Sequence, residues 1–136
     1  MAPGEVGLAI KRIQHRNHRA VNRALAPLGL SIVQWDVLRH LHAEPDASGL
    51  RLAELTFQSA QAFGTLAARM VERGMLAREQ GPGRVVYHRL TPAGEQLRVA
   101  AQKHVDKVTR KSFSALSTPE LEQLGALLAR VLATPL

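Results

Sequence analysis

The sequence predicts a mainly α-helical domain carrying one small β-hairpin, and three observations predict it. Apolar residues recur at helical spacing in most segments of the chain. The period switches to two only between Leu76 and Leu90, on either side of Gly81-Pro82-Gly83. Residues that cap or break helices fall at the boundaries between these segments. At 136 residues the chain is the length of one domain. With 46% hydrophobic and 21% charged residues, disorder is excluded for most of it. One Trp, one Tyr and three Phe leave the core to aliphatic side chains.

Residues 5–28 read as a long amphipathic helix, with Ile10, Ile13, Ala20, Ala24 and Leu28 in one stripe and Val6, Val21 and Leu25 beside it. Asn17 is the polar member of that stripe, and Lys11, Arg12, His15, Arg16, His18 and Arg19 crowd the other face. Pro27 and Gly29 close the segment. A second helix runs from Ser31, a suitable N-cap, to His42, burying Trp35, Leu38 and Leu41. Pro45 to Gly49 breaks the chain, and Arg51–Leu55 forms a short third helix. Ser59 caps a fourth, which buries Phe63, Leu66 and Met70 and shows Gln61, Thr65, Arg69 and Glu72 outward. Gly74 suits the left-handed position that ends it.

Leu76–Glu79 and Val85–Leu90 then pair as a hairpin, with Pro82 and Gly83 expected at the centre of a type II turn. Thr91-Pro92 opens the next helix as cap and first-turn proline, with a stripe of Leu97, Ala101, His104 and Val108 leading to Phe113 and Leu116. Ser117 and Glu120 form a capping box, and Leu121, Leu124, Leu128, Val131 and Leu132 follow as an apolar seam.

Composition narrows the function classes. The absence of Cys removes disulfides, thiolate metal sites and Cys nucleophiles together. No apolar run approaches the roughly 18 residues of a membrane span. Met1 to Glu5 lack the features of a signal peptide, so the expected compartment is the cytoplasm. No glycine-rich phosphate loop follows a strand and no carboxylate pair is evident, so no enzyme or cofactor is expected. His15 and His18, and His40 and His42, lack companion ligands, so no metal is expected either. The net charge of +7 favours a polyanionic partner. Residues 5–25 carry five basic groups against one acidic, and residues 51–90 carry six against three. Fourteen of the eighteen basic residues are Arg, the side chain that forks onto phosphate or a guanine edge.

A short helix, a tight turn, a second helix and a hairpin is the winged helix-turn-helix order. The second helix of such a motif must present small and polar groups outward to enter a major groove, and Ser59, Gln61, Ala62, Thr65 and Arg69 do so here. Nearly the whole chain resembles a MarR-type transcriptional regulator. The resemblance rests on Leu25–Ser31 running into Gln34–Leu38, on Leu52–Leu55, on Arg69–Leu76, and on Leu90-Thr91-Pro92-Ala93-Gly94.

The resemblance implies a single domain, 1–136, that binds double-stranded DNA as a homodimer. Residues 5–28 and 92–134 would be the N- and C-terminal dimerisation helices, and about 31–90 the DNA-binding lobe. It further implies a near-palindromic operator, repression as the expected sign of regulation, and a cleft for a small aromatic anion as effector. His15, Asn17, Arg19, Trp35 and Phe113 are the candidates to line that cleft, Trp35 being otherwise a core residue. The wing tip, Pro82-Gly83-Arg84, departs from the family's common Asp-x-Arg, leaving Arg84 without an acidic partner.

Each DNA-binding candidate has a second reading. Gln61 and Thr65 are otherwise solvated surface, Arg69 otherwise pairs with Glu72 or Glu54 or bonds neighbouring backbone, and Arg84 is otherwise an idle tip. For the whole chain the alternatives are an all-helical dimeric interaction module without DNA binding, and a membrane-surface protein using its basic first helix.

Overall fold

The computed structural model describes all residues 1–136. Its elements, in order, are α1 (Pro3–Leu25), a 3-10 turn at Ala26–Leu28, α2 (Ile32–Ala43), α3 (Gly49–Leu55), α4 (Ala60–Glu72), β1 (Leu76–Gln80), β2 (Val86–Leu90), α5 (Pro92–Ser112) and α6 (Thr118–Leu132). The first helix ends three residues earlier than its apolar stripe, because Pro27 lacks the N–H that would continue the α-ladder. Gly29 then turns the chain with φ +71°.

Local caps explain the remaining starts. Ser31 and Gln34 form a reciprocal capping box, as do Ser117 and Glu120, and the hydroxyls of Ser59 and Thr91 accept from Ala62 N and Gly94 N. Ser48 caps α3 in the same way, starting that helix at Gly49, inside the segment that reads as a break from sequence.

The core is one cluster. Val21 and Leu25 of α1, Trp35, Val37, Leu38 and Leu41 of α2, Leu52 and Ala53 of α3, Phe63, Ala67 and Met70 of α4, Leu76 of β1 and Ala101 of α5 all contribute. Helices α1 and α5 pack along one another, and α2 bridges them to the lobe formed by α3, α4 and the hairpin. On α4 the deeply buried third position is Ala67, while Leu66 is only half-buried at the margin. On α5 the inward stripe is Leu97, Ala101, Val105 and Val108; His104 is exposed, contrary to the expected stripe, since Val105 takes the inward position beside it.

The hairpin is antiparallel, pairing Leu76 with Leu90 and Gln80 with Val86. Its turn is shifted one residue from the type II expectation. Val85 N donates to Pro82 O at 3.3 Å, so the central residues are Gly83 and Arg84, with Gly83 at φ +64°. Gly83 has the positive φ expected of it, but as the first central residue rather than the second.

Two apolar faces remain uncovered. Val6, Leu8, Ile10 and Ile13 of α1 are exposed, and α6 buries no residue and packs extensively against no other element.

Candidate nucleic-acid interface

Helix α4 owes its orientation to Phe63, Ala67 and Met70, which anchor one side in the core. Gln61, Ala62, Thr65 and Arg69 are left exposed on the other. Ser59 lies at the helix start, where its Oγ accepts from Ala62 N at 3.0 Å. Thr65 Oγ1 donates to Gln61 O at 3.2 Å, which holds the threonine against its own helix. The Gln61 side chain makes no hydrogen bond within the chain. Arg69 pairs with neither Glu72 nor Glu54, and Glu54 instead faces Arg51 at 3.5 Å. The face is therefore small, polar and terminated by an unpaired guanidinium, and nothing on it is bulky enough to bar a helix from a major groove.

Arg84 is exposed at the second central position of the hairpin turn and makes no ion pair. The tip around it is fixed by Gln80, whose Nε2 donates to Gly83 O and Val85 O, each at 3.2 Å. Between α4 and the hairpin runs a cleft of about 600 Å³, with Phe63, Gly64, Arg78, Arg84 and His88 among its lining residues.

His88 escaped notice in the sequence, although strand alternation puts it on the same face as Val86 and Leu90. It is 6% exposed, its ring meets Phe63 edge-on at 5.7 Å, and its Nδ1 has no hydrogen-bond partner. Burial lowers its pKa from the ordinary value, and the Arg78 charge adds to the effect. Its burial thus favours the neutral imidazole at the junction of α4 and the hairpin.

The candidates for an effector cleft are dispersed in one protomer. His15 and Arg19 are exposed on α1. Asn17 Oδ1 accepts from Ser112 Oγ at 2.6 Å, and Arg16 donates to the same hydroxyl at 2.8 Å, joining α1 to the end of α5. Trp35 is a core residue, 3% exposed. Phe113 lines a cavity of about 530 Å³ at the α5–α6 corner with Asp106, Arg110, Leu116 and Leu121, and none of the other four candidates reaches it.

Residues 28–84 match the sequence profile described as the MarR family, a span running from Leu28 to Arg84. The HTH-type transcriptional repressor Rv2887 of Mycobacterium tuberculosis is 27% identical over 113 residues, covering 82% of this chain and 81% of that protein. A MarR-family transcriptional regulator from Rhodococcus sp. RHA1 has a similar structure, with a TM-score of 0.87 at 23% identity over 96% of this chain and 94% of that one. A mutant MarR from E. coli complexed with operator DNA gives a TM-score of 0.84 at 22% identity over 94% of each chain. The Mycobacterium tuberculosis MarR family protein Rv2887 in complex with salicylic acid gives 0.78 at 26% identity, covering 96% of this chain and 97% of that one.

Proposed function

We propose that the chain is a transcriptional regulator of the MarR family, whose model matches residues 28–84, that it represses transcription by binding a near-palindromic operator as a homodimer, and that a small aromatic anion releases it. The outward face of α4 carries this proposal: Gln61, Ala62 and Thr65 stand free of packing, and Arg69 stands free of every carboxylate. Such a face suits base edges in a major groove, while Arg84 on the hairpin suits phosphate or a minor groove. Repression is supported by the role named for the relative Rv2887.

Dimerisation is supported by surface area. The protomer exposes 9523 Å², against about 7,000 Å² for a compact monomer of this mass. The excess, about 2,500 Å², is of the order that obligate partners cover, and exposed apolar side chains on α1 and α6, among them Ile10, Ile13, Leu121 and Leu127, offer a face to cover. The effector class is supported by the salicylic acid complex of the same relative. Its proposed lining draws on His15, Asn17, Arg19 and Phe113, with the second protomer completing the walls. An effector acts only through its different affinities for DNA-competent and incompetent dimers.

Selection from a random duplex pool tests the proposal. The expected result is an enriched site of two inverted half-sites whose centres lie about one helical turn apart, or a multiple of that. A pool that shows no enrichment, at salt concentrations where nonspecific binding is also absent, identifies an interaction module instead.

A further inference from the structure

The turn between α3 and α4 holds the chain's only non-glycine residue with positive φ, Phe57 at +56°. Its neighbours fix that geometry. Gln58 N donates to Ala53 O at 2.9 Å and Phe57 N to Glu54 O at 3.2 Å, the paired bonds of a Schellman helix end with Phe57 in the left-handed position. Gln58 Nε2 also donates to Thr56 Oγ1 at 2.9 Å, and that buried hydroxyl donates to Leu52 O at 2.7 Å. Glycine is the residue this backbone favours, because a side chain there meets the chain's own carbonyl. Phe57 is nevertheless present, and it is 95% exposed. The ring thus gains nothing from packing in the protomer while its backbone is strained. Strain retained without structural return is characteristic of functional positions.

The location says which function. Phe57 lies two residues before Ser59, the N-cap of α4. In a helix-turn-helix the first residues of the second helix approach the base edges most closely. A phenyl ring carried at that end meets the rim of the major groove, where the C5-methyl of thymine is the one apolar group available to it. We propose that Phe57 is a specificity-determining residue that packs its ring on a thymine methyl in each half-site. The proposal rests on the operator-binding function above, and adds a base preference carried by the turn as well as by α4.

The experiment uses the full chain and the duplex obtained by selection, prepared with thymine or with uracil at the half-site positions nearest the start of α4. The parent protein should bind the thymine duplex about tenfold more tightly, the low end for losing one methyl from an apolar contact. Phe57→Gly should bind the thymine duplex more weakly than the parent and fail to distinguish thymine from uracil. It should also melt at a higher temperature, since glycine relieves the left-handed backbone. Weaker binding by a more stable protein separates a contact role from a folding role. Phe57→Leu, which keeps an apolar side chain on the same strained backbone, should retain part of the preference. The proposal is overturned if the parent binds both duplexes equally, or if Phe57→Gly keeps the parent's preference. It is also overturned if Phe57→Gly lowers the molecular mass in light scattering, which would make the ring a contact between copies of the chain. Failure of the parent to bind any selected duplex is a different result, seen without the variant, and removes the operator-binding function itself.

Discussion

Arg51, Arg89 and Arg98 each hold a carboxylate, Glu44 at 3.1 Å, Glu79 at 2.9 Å and Glu95 at 2.6 Å respectively. Arg69 and Arg84 hold none, which leaves their charge available to a phosphate or base. If the wing meets DNA, Arg84→Ala weakens operator binding without changing the major-groove consensus. Its salt slope then falls by about one per wing, or about two for a dimer. The loss is larger with A·T-rich flanks, whose narrow minor groove has the stronger negative potential. An unchanged slope and affinity would show that the hairpin tip stays clear of the duplex.

His88 links stability to pH. Its imidazole is buried against Phe63 and its pKa lies below the ordinary 6.5. The unfolded chain therefore binds the proton more readily, and stability falls as pH drops below about 6.5. Above that range both states are neutral and the effect vanishes. Thermal melts should show a smaller acid-induced loss for His88→Phe than for the parent, whereas equal losses would assign the acid sensitivity to other groups.

Among the elements, the junction of α4, the hairpin and α5 is the most tightly specified. Thr91 N donates to Met75 O at 3.1 Å, and the Thr91 hydroxyl donates to Gly74 O. A Cβ on Gly94 would lie 2.0 Å from Met75 O, so α5 can start there only with glycine. The motifs Arg69–Leu76 and Leu90–Gly94, distant in sequence, are thus two sides of one contact. Gly94→Ala should destabilise the protein by about 3 kcal/mol, at the upper end of overpacking effects because the obstructing atom is backbone. Gly64→Ala, also helical but with open space around it, should instead gain about 0.5–1 kcal/mol. Urea denaturation of both variants checks the contrast.

These junctions also explain what could be read before the structure. Helix starts were legible because caps such as Ser31, Ser59, Thr91 and Ser117 act within three residues. The outward face of α4 was legible because Phe63 and Met70 set its period. The exact centre of the hairpin turn was not, since five residues, Gly81 to Val85, separate the paired Gln80 and Val86 and Pro82-Gly83 fills only two of them. Phe57 was hidden because the position that demands positive φ lacks the glycine that would announce it, and Ser48 because it sits among helix breakers. The gathering of an effector site was out of reach, as Asn17, Phe113 and Trp35 lie in three different local settings.

For the whole molecule, the excess surface and the uncovered α6 predict a dimer. Light scattering at micromolar concentration should report twice the 14.9 kDa of the chain. A two-fold axis would make the interface isologous and would present two copies of α4 to one face of DNA. Helical packing and a basic surface would serve an interaction module equally well, so base recognition by α4 is the claim that distinguishes a regulator. The direct measurement is the affinity of the parent and of Gln61→Ala for the selected duplex and for duplexes substituted at each symmetric pair of positions. Base recognition by α4 predicts that Gln61→Ala loses roughly 1–3 kcal/mol on the selected duplex, with discrimination relaxed at one symmetric pair and kept at the others. A uniform loss on every duplex, with the base preference intact at all positions, would contradict it.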